Sequence, residues 1–170
     1  KPAALAEVRQ AAANKTSTIQ SNDNLTSDEK AEAIQKVNTE LAKAEKDINE
    51  AADDLTVGVV KQGGITNIGN VPVNPTVKPT ATHELEEAAS NRRREIQQTE
   101  GLTKEEREQA LAQVENALQT ARQAITQADS NAAVATQKTQ GIQNIQAVTA
   151  TPNAKPTAIN EIEAAAETRR

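Results

Sequence analysis

The sequence has 170 residues, with 19 Lys and Arg against 24 Asp and Glu for a formal charge of -5, and it contains no Cys, Met, Phe, Tyr or Trp. A net negative chain without aromatics excludes the basic, base-stacking surface of a nucleic-acid binder, and the lack of cysteine excludes disulfides, thiolate metal sites and catalytic thiols. Leu, Ile and Val together fall just under the roughly 20% at which disorder competes with folding, but the modest net charge and a strong periodicity decide for a folded chain. No apolar run approaches the ~20 residues of a membrane span, so no membrane contact is expected of this segment, and the start at Lys1 without a signal peptide reads as a piece of something longer.

The periodicity is first of all a repeat. KPAALAEVRQAAANKT at Lys1 returns as KPTATHELEEAASNRR at Lys78 and as KPTAINEIEAAAETRR at Lys155, 77 residues apart each time. Residues 1–77 align with 78–154 without a gap at 26 identities, and residues 155–170 read as the first helix of a truncated third copy.

Within a copy, spacing predicts three helices. The first begins at Pro2, Pro79 and Pro156, where a missing N–H costs nothing in the first turn, and carries the stripe Leu5, Val8, Ala12, Ile19 or Leu85, Ala89, Ile96. The second is clearest: Ile34, Val37, Leu41, Ala44, Ile48, Ala51 and Leu55 advance by threes and fours, as do Leu111, Val114, Leu118, Ala121, Ile125, Ala128 and Ala132. It opens on a Thr-x-x-Glu capping box, Thr26 with Glu29 and Thr103 with Glu106, and is expected to run about 27 residues. The third follows Asp54 or Asn131 as N-cap and carries Val57, Gly64, Ile65, Ile68 or Val134, Gly141, Ile142, Ile145. In copy one its sequence TVGVVKQGGITNIGN holds four glycines, each interior one costing about 1 kcal/mol against alanine, so this helix is expected to be the softest element. NVPVNPTVKP and VTATPNAKP then read as extended, semi-rigid connectors.

The predicted fold is all-α: tandem up-down-up three-helix bundles, joined end to end into an elongated rod because an odd number of helices puts the two ends of a copy at opposite poles. The domains are 1–77, 78–154 and the partial 155–170. A shifted unit, made of the second and third helices with the next first helix, uses the same pattern. With so much alanine inside, helices approach closely but bury little area, and each bundle is expected to be marginally stable.

The search for chemistry returns little. His83 is the only histidine, and its equivalents are Ala6 and Asn160, so it reads as a solvated residue without the partners a base or metal ligand needs. Arg92-Arg93-Arg94 lacks interleaved aromatics and reads as a helix face. Glu84, Glu86 and Glu87, like Glu161 and Glu163, lack the cleft that general acid–base work demands. Gly63-Gly64 sits in no strand-loop-helix setting, and the sequons at Asn14 and Asn24 matter only in a eukaryotic secretory host. No catalytic, cofactor-binding or metal-binding residue is assigned, no cofactor is implied, and an enzyme is not expected.

The order Lys-Pro-x-Ala…Glu…Ala-Ala…Ile, then Leu-Thr-x-(Asp/Glu)-Glu-(Lys/Arg)…Val…Ala…Ile, then Val…Lys-x-x-Gly-Ile-x-x-Ile resembles a domain of unknown function. It recurs as alanine-rich repeats in giant staphylococcal cell-wall-anchored surface proteins of the SasC, FmtB and Ebh kind. The resemblance spans the whole chain, with copy one departing at Gly58, Gly63 and Gly69 where copy two has Ala135, Gln140 and Gln146. It implies an extracellular place on the bacterial cell wall, a parent protein linked to peptidoglycan, and a role in adhesion, aggregation or biofilm formation. Stalk repeats that project an adhesive region, monomeric as a fragment, are the leading expectation. The alternative is a three-helix binding module for a host extracellular protein or for homophilic cell–cell contact. That reading would need exposed apolar anchors, whereas the outer faces read as Lys, Glu, Gln, Asn and Thr.

Overall fold

The computed structural model describes residues 1–168, and among them every regular element is a helix. In chain order these are α1 (Pro2–Gln20), α2 (Ser27–Glu50), α3 (Asp54–Gly69), α4 (Val77–Gln98), α5 (Lys104–Gln127), α6 (Asn131–Gln146) and α7 (Ala154–Thr168). Two compact units are formed: one is Lys1–Lys78 with the short stretch Asp129–Asn131, and the other holds Pro79–Ala128 and the described residues from Ala132 to Thr168.

In the first unit, bonds between helices establish the path of the chain. Lys1 Nζ donates to the Asn49 carbonyl at 2.8 Å, Arg9 Nε to Glu45 Oε1 at 3.1 Å, and Lys30 Nζ to the Gln20 carbonyl at 2.9 Å, so α1 and α2 are antiparallel. Lys61 pairs with Glu7 at 2.8 Å and Lys15 Nζ donates to the Gly69 carbonyl at 2.9 Å, so α3 returns parallel to α1. This is the expected up-down-up bundle. Its interior falls into two layers, Ala4, Val8, Ala44, Ile48 and Val57 towards one pole and Ala12, Ile19, Leu25, Val37 and Ile68 towards the other, with Leu41 packed against both. The second unit repeats the path 77 residues on: Arg93–Glu115 and Arg122–Glu86 tie α4 to α5, and Lys138–Glu84 ties α4 to α6.

The helices approach closely at one glycine of each bundle. A Cβ placed on Gly64 of α3 would lie 2.6 Å from Ala44 Cβ of α2, and one on Gly141 of α6 would lie 2.6 Å from Ala121 Cβ of α5 and 2.8 Å from Leu85 Cδ2 of α4. Gly58, Gly63 and Gly69, in contrast, face open space. Reading the four glycines of α3 alike, as costs, is therefore corrected: Gly64 is what lets three helices converge.

Several expected boundaries move. α2 and α5 each have 24 residues rather than about 27. Ala51 is extended, at φ -62° and ψ 134°, and the side chain of Asp53 accepts a hydrogen bond from Thr56 N, so α3 is capped by Asp53 and not by Asp54. Leu55, placed by spacing on the middle stripe, lies instead on α3 and is 80% exposed, and Ala132 is exposed on α6. α4 and α7 start two residues before Pro79 and Pro156, which is tolerated because the first four helical N–H groups have no partner within the helix. The first connector is not a free strand: Val71 is buried with Ile68 and Leu25, and Val73 packs against the same cluster. α7 buries none of its described side chains, leaving Ile159 and Ile162 exposed.

Candidate functional site

Some of the residues singled out by sequence hold helices together, and the others lie within single helices or in turns. His83 Nε2 lies 2.9 Å from Glu87 Oε1 on the exposed face of α4. In the arginine run, the Arg92 Nε and Nη2 groups both donate to the Val148 carbonyl just past the end of α6, at 2.9 and 2.6 Å, and Arg92 also pairs with Glu95. Cationic donors suit a helix C-terminus, where unpaired carbonyls and the helix dipole concentrate negative charge. Arg93 pairs with Glu115 at 2.8 Å. Of the acidic group, Glu84 pairs with Lys138, Glu86 with Arg122 and Glu87 with His83, so each carboxylate faces a basic side chain of its own. Glu161 and Glu163 lie exposed on α7, Gly63 and Gly64 lie inside α3, and Asn14 Oδ1 accepts from Gln10 within α1 while Asn24 sits in the α1–α2 turn.

What spacing alone did not reveal is a carboxylate that serves two helices. Glu29 Oε1 accepts the Thr26 N–H at 3.0 Å, closing the expected capping box on α2. Its Oε2 accepts from Thr76 N at 2.9 Å, Thr76 Oγ1 at 3.0 Å and Val77 N at 3.3 Å, where α4 begins. Glu106 does the same one copy on, with Oε1 on Thr103 N at 2.9 Å and Oε2 on Asn153 N at 2.8 Å and Ala154 N at 3.1 Å, where α7 begins. Hydrogen bonds to the charged form favour it. Backbone N–H groups of Thr103, Asn153 and Ala154 thus hold the Glu106 carboxyl at about 2. At Glu29 partial burial pulls upward, but the bonds from Thr26, Thr76 and Val77 outweigh it and the group titrates below its ordinary value. The sequence signal for this partnership is the recurrence of Pro75-Thr76 and Pro152-Asn153 at the same distance beyond each capping box.

Beside Glu106, a shallow groove of about 260 Å³ runs along Ala110, Gln113, Thr149 and Thr151. It is smaller than the roughly 300–1,000 Å³ of ordinary ligand sites and lacks their apolar lining. Among the described residues no cluster of His, Asp or Glu has metal-binding geometry, and no helix is long and apolar enough to cross a membrane.

No curated protein and no solved structure matches the chain. A family profile does, twice in tandem, over residues 1–76 and 77–153, and its description is Domain of Unknown Function (DUF1542). Since the two matches cover nearly the whole sequence, the chain belongs to the DUF1542 family, as two successive repeats of that helical domain.

Proposed function

We propose that this chain is a spacer segment of a bacterial cell-wall-anchored surface protein, an adhesin of the staphylococcal kind represented by SasC, FmtB and Ebh. Its repeats, set at 1–77 and 78–154, act as a non-enzymatic stalk that holds an adhesive region away from the peptidoglycan. One observation carries the reading. The two copies keep the contacts that build the bundle, Glu7–Lys61 with Glu84–Lys138, Thr26–Glu29 with Thr103–Glu106 and Gly64–Ala44 with Gly141–Ala121. They keep their exposed chemistry less closely: Glu32–Lys36, an ion pair on α2, becomes Gln109 and Gln113 on α5. A spacer requires the fold to recur, whereas a binding face requires its surface to recur. Small-angle scattering on chains of two, four and six copies tests it: a stalk predicts a maximum dimension that grows by about 30–40 Å per copy, the length of one such helix, and growth of only a few ångströms per copy overturns it.

A second reading has one observation in its favour. Leu55 and Val59 are four apart on α3 and are 80% and 65% exposed, an apolar pair that departs from the polar outer face expected of the sequence. Large exposed apolar residues mark contact surfaces when they cluster. If this face serves homophilic contact, Leu55→Glu with Val59→Glu lowers cell aggregation by the parent protein and leaves its surface display intact. A pure stalk loses neither.

A further inference from the structure

The two bundles have almost interchangeable interiors. The buried residues of α1 are Ala4, Val8, Ala12 and Ile19, and those of α4, at equivalent positions, are Ala81, Leu85, Ala89 and Ile96, so only Val8 and Leu85 differ. On the facing helices Val37, Ala44 and Ile48 of α2 become Val114, Ala121 and Ile125 of α5, with no change of residue type. Apolar packing is non-directional. Apart from the Val8/Leu85 difference, it therefore gives a first helix little reason to prefer the partners of its own copy, and tandem copies in one chain meet at high local concentration while folding.

The rim of the bundle does discriminate. Arg9 of α1 pairs with Glu45 of α2 at 3.1 Å. At the equivalent positions 77 residues on, the polarity is reversed: Glu86 of α4 pairs with Arg122 of α5 at 2.5 Å. The neighbouring pair keeps its sign, Glu7–Lys61 and Glu84–Lys138. If α1 docked on α5, Arg9 would face Arg122, and if α4 docked on α2, Glu86 would face Glu45. Each crossed arrangement exchanges an attraction for a like-charge contact. We propose that the inverted ion pair is a pairing code that keeps α1 on α2 and α4 on α5, suppressing exchange of first helices between copies. Glu163 on α7, at the equivalent position, carries the sign of Glu86.

The absence of native cysteine allows direct trapping. The side chains of Arg93 and Glu115 meet at 2.8 Å across α4 and α5, and their copy-one equivalents are Thr16 and Asn38, so these positions face one another in a paired bundle across a gap that a short cross-linker can span. In the full chain, Thr16→Cys with Glu115→Cys reports the crossed pairing, and Thr16→Cys with Asn38→Cys reports the correct one. Refolding in the presence of a short bis-maleimide is compared in the natural background and in Glu86→Arg/Arg122→Glu, where both copies have the same polarity. Exposed ion pairs are individually weak, but two attractions are exchanged for two repulsions, so the crossed thioether link is expected to rise about tenfold at low salt. The difference should vanish near 1 M salt, where the screening length falls to about 3 Å. The mirror change Arg9→Glu/Glu45→Arg must give the same rise, and it keeps the experiment readable if the first variant fails to fold. Equal yields of the crossed link in the natural and uniform backgrounds, with the correct link forming in both, overturn the proposal.

Discussion

Two glycines that stand side by side in the sequence behave oppositely in the structure. Gly63 faces open space on α3, so a methyl group there meets nothing, and glycine costs a helix interior about 0.5–1 kcal/mol relative to alanine. Gly63→Ala is expected to stabilise the first bundle by about that amount. At Gly64 the same methyl would sit 2.6 Å from Ala44 Cβ, which cannot rotate away because an alanine has no other rotamer to offer. Overpacking of this kind costs about 1–3 kcal/mol, which exceeds the gain in helix propensity, so Gly64→Ala is expected to destabilise the bundle by about 1–2 kcal/mol net. Chemical denaturation of the two variants side by side checks this, and a shift of the same sign in both refutes the close-approach role. The distinction was partly legible in the sequence: Gly64 and Gly141 recur at a core position of the helical period and Gly63 does not, being Gln140 in copy two. Spacing could mark the position as inward, but only the neighbouring Ala44 shows why no side chain fits.

At the scale of the helix, local chemistry could be read from sequence and distant chemistry could not. Thr26 and Glu29 are three residues apart, so the capping box at the start of α2 followed directly from the sequence. At Asp54, beside the actual cap Asp53, and where a stripe ran on in register past Ala51 to Leu55, the ends were misplaced by one to a few residues. The second oxygen of Glu29 finds its partners 47 and 48 residues away at Thr76 and Val77, a relationship no helical period encodes. The same bonds make helix capping acid-sensitive. Glu106 titrates at about 2 when folded, against an ordinary 4.5, so its contribution is complete above about 4.5 and is lost as pH falls towards 2. Amide signals of Asn153 and Ala154 are expected to lose their hydrogen-bonded shifts over that window, with Thr76 and Val77 following Glu29 in the same direction. Glu106→Gln removes the titrating charge and should flatten the response at Asn153 and Ala154 while leaving the one at Thr76 intact. An unchanged titration in that variant would show that another group is responsible.

For the molecule as a whole, the same fold is written twice with different margins, and this asymmetry was the part of the energetics most visible in the sequence. α3 and α6 occupy equivalent places, yet α3 has glycine at 58 and 63 where α6 has Ala135 and Gln140, and neither glycine is required by packing. Two unneeded interior glycines weaken α3 by about 1–2 kcal/mol relative to α6. The rim adds to the difference: Arg93–Glu115 joins α4 to α5, but the copy-one equivalents Thr16 and Asn38 carry no charge. Against this, Val71 and Val73 cover one end of the first core, where copy two has Val148 and Ala150, so the connector recovers some apolar area at the pole where Ile68 ends α3. That cover lies at the C-terminal end of α3, while Gly58 lies in its first turns beside the exposed pair Leu55 and Val59. Local opening is therefore expected to begin at the N-terminal half of α3. Native-state hydrogen exchange should find amides around Gly58 to Gly63 exchanging roughly fivefold to thirtyfold faster than those around Ala135 to Gln140, since each 1.4 kcal/mol is a factor of ten in the opening equilibrium. Gly58→Ala with Gly63→Ala should close most of that gap. If the two helices exchange alike in the natural chain, the glycines are not what sets the stability of the first bundle, and the connector's valines outweigh them.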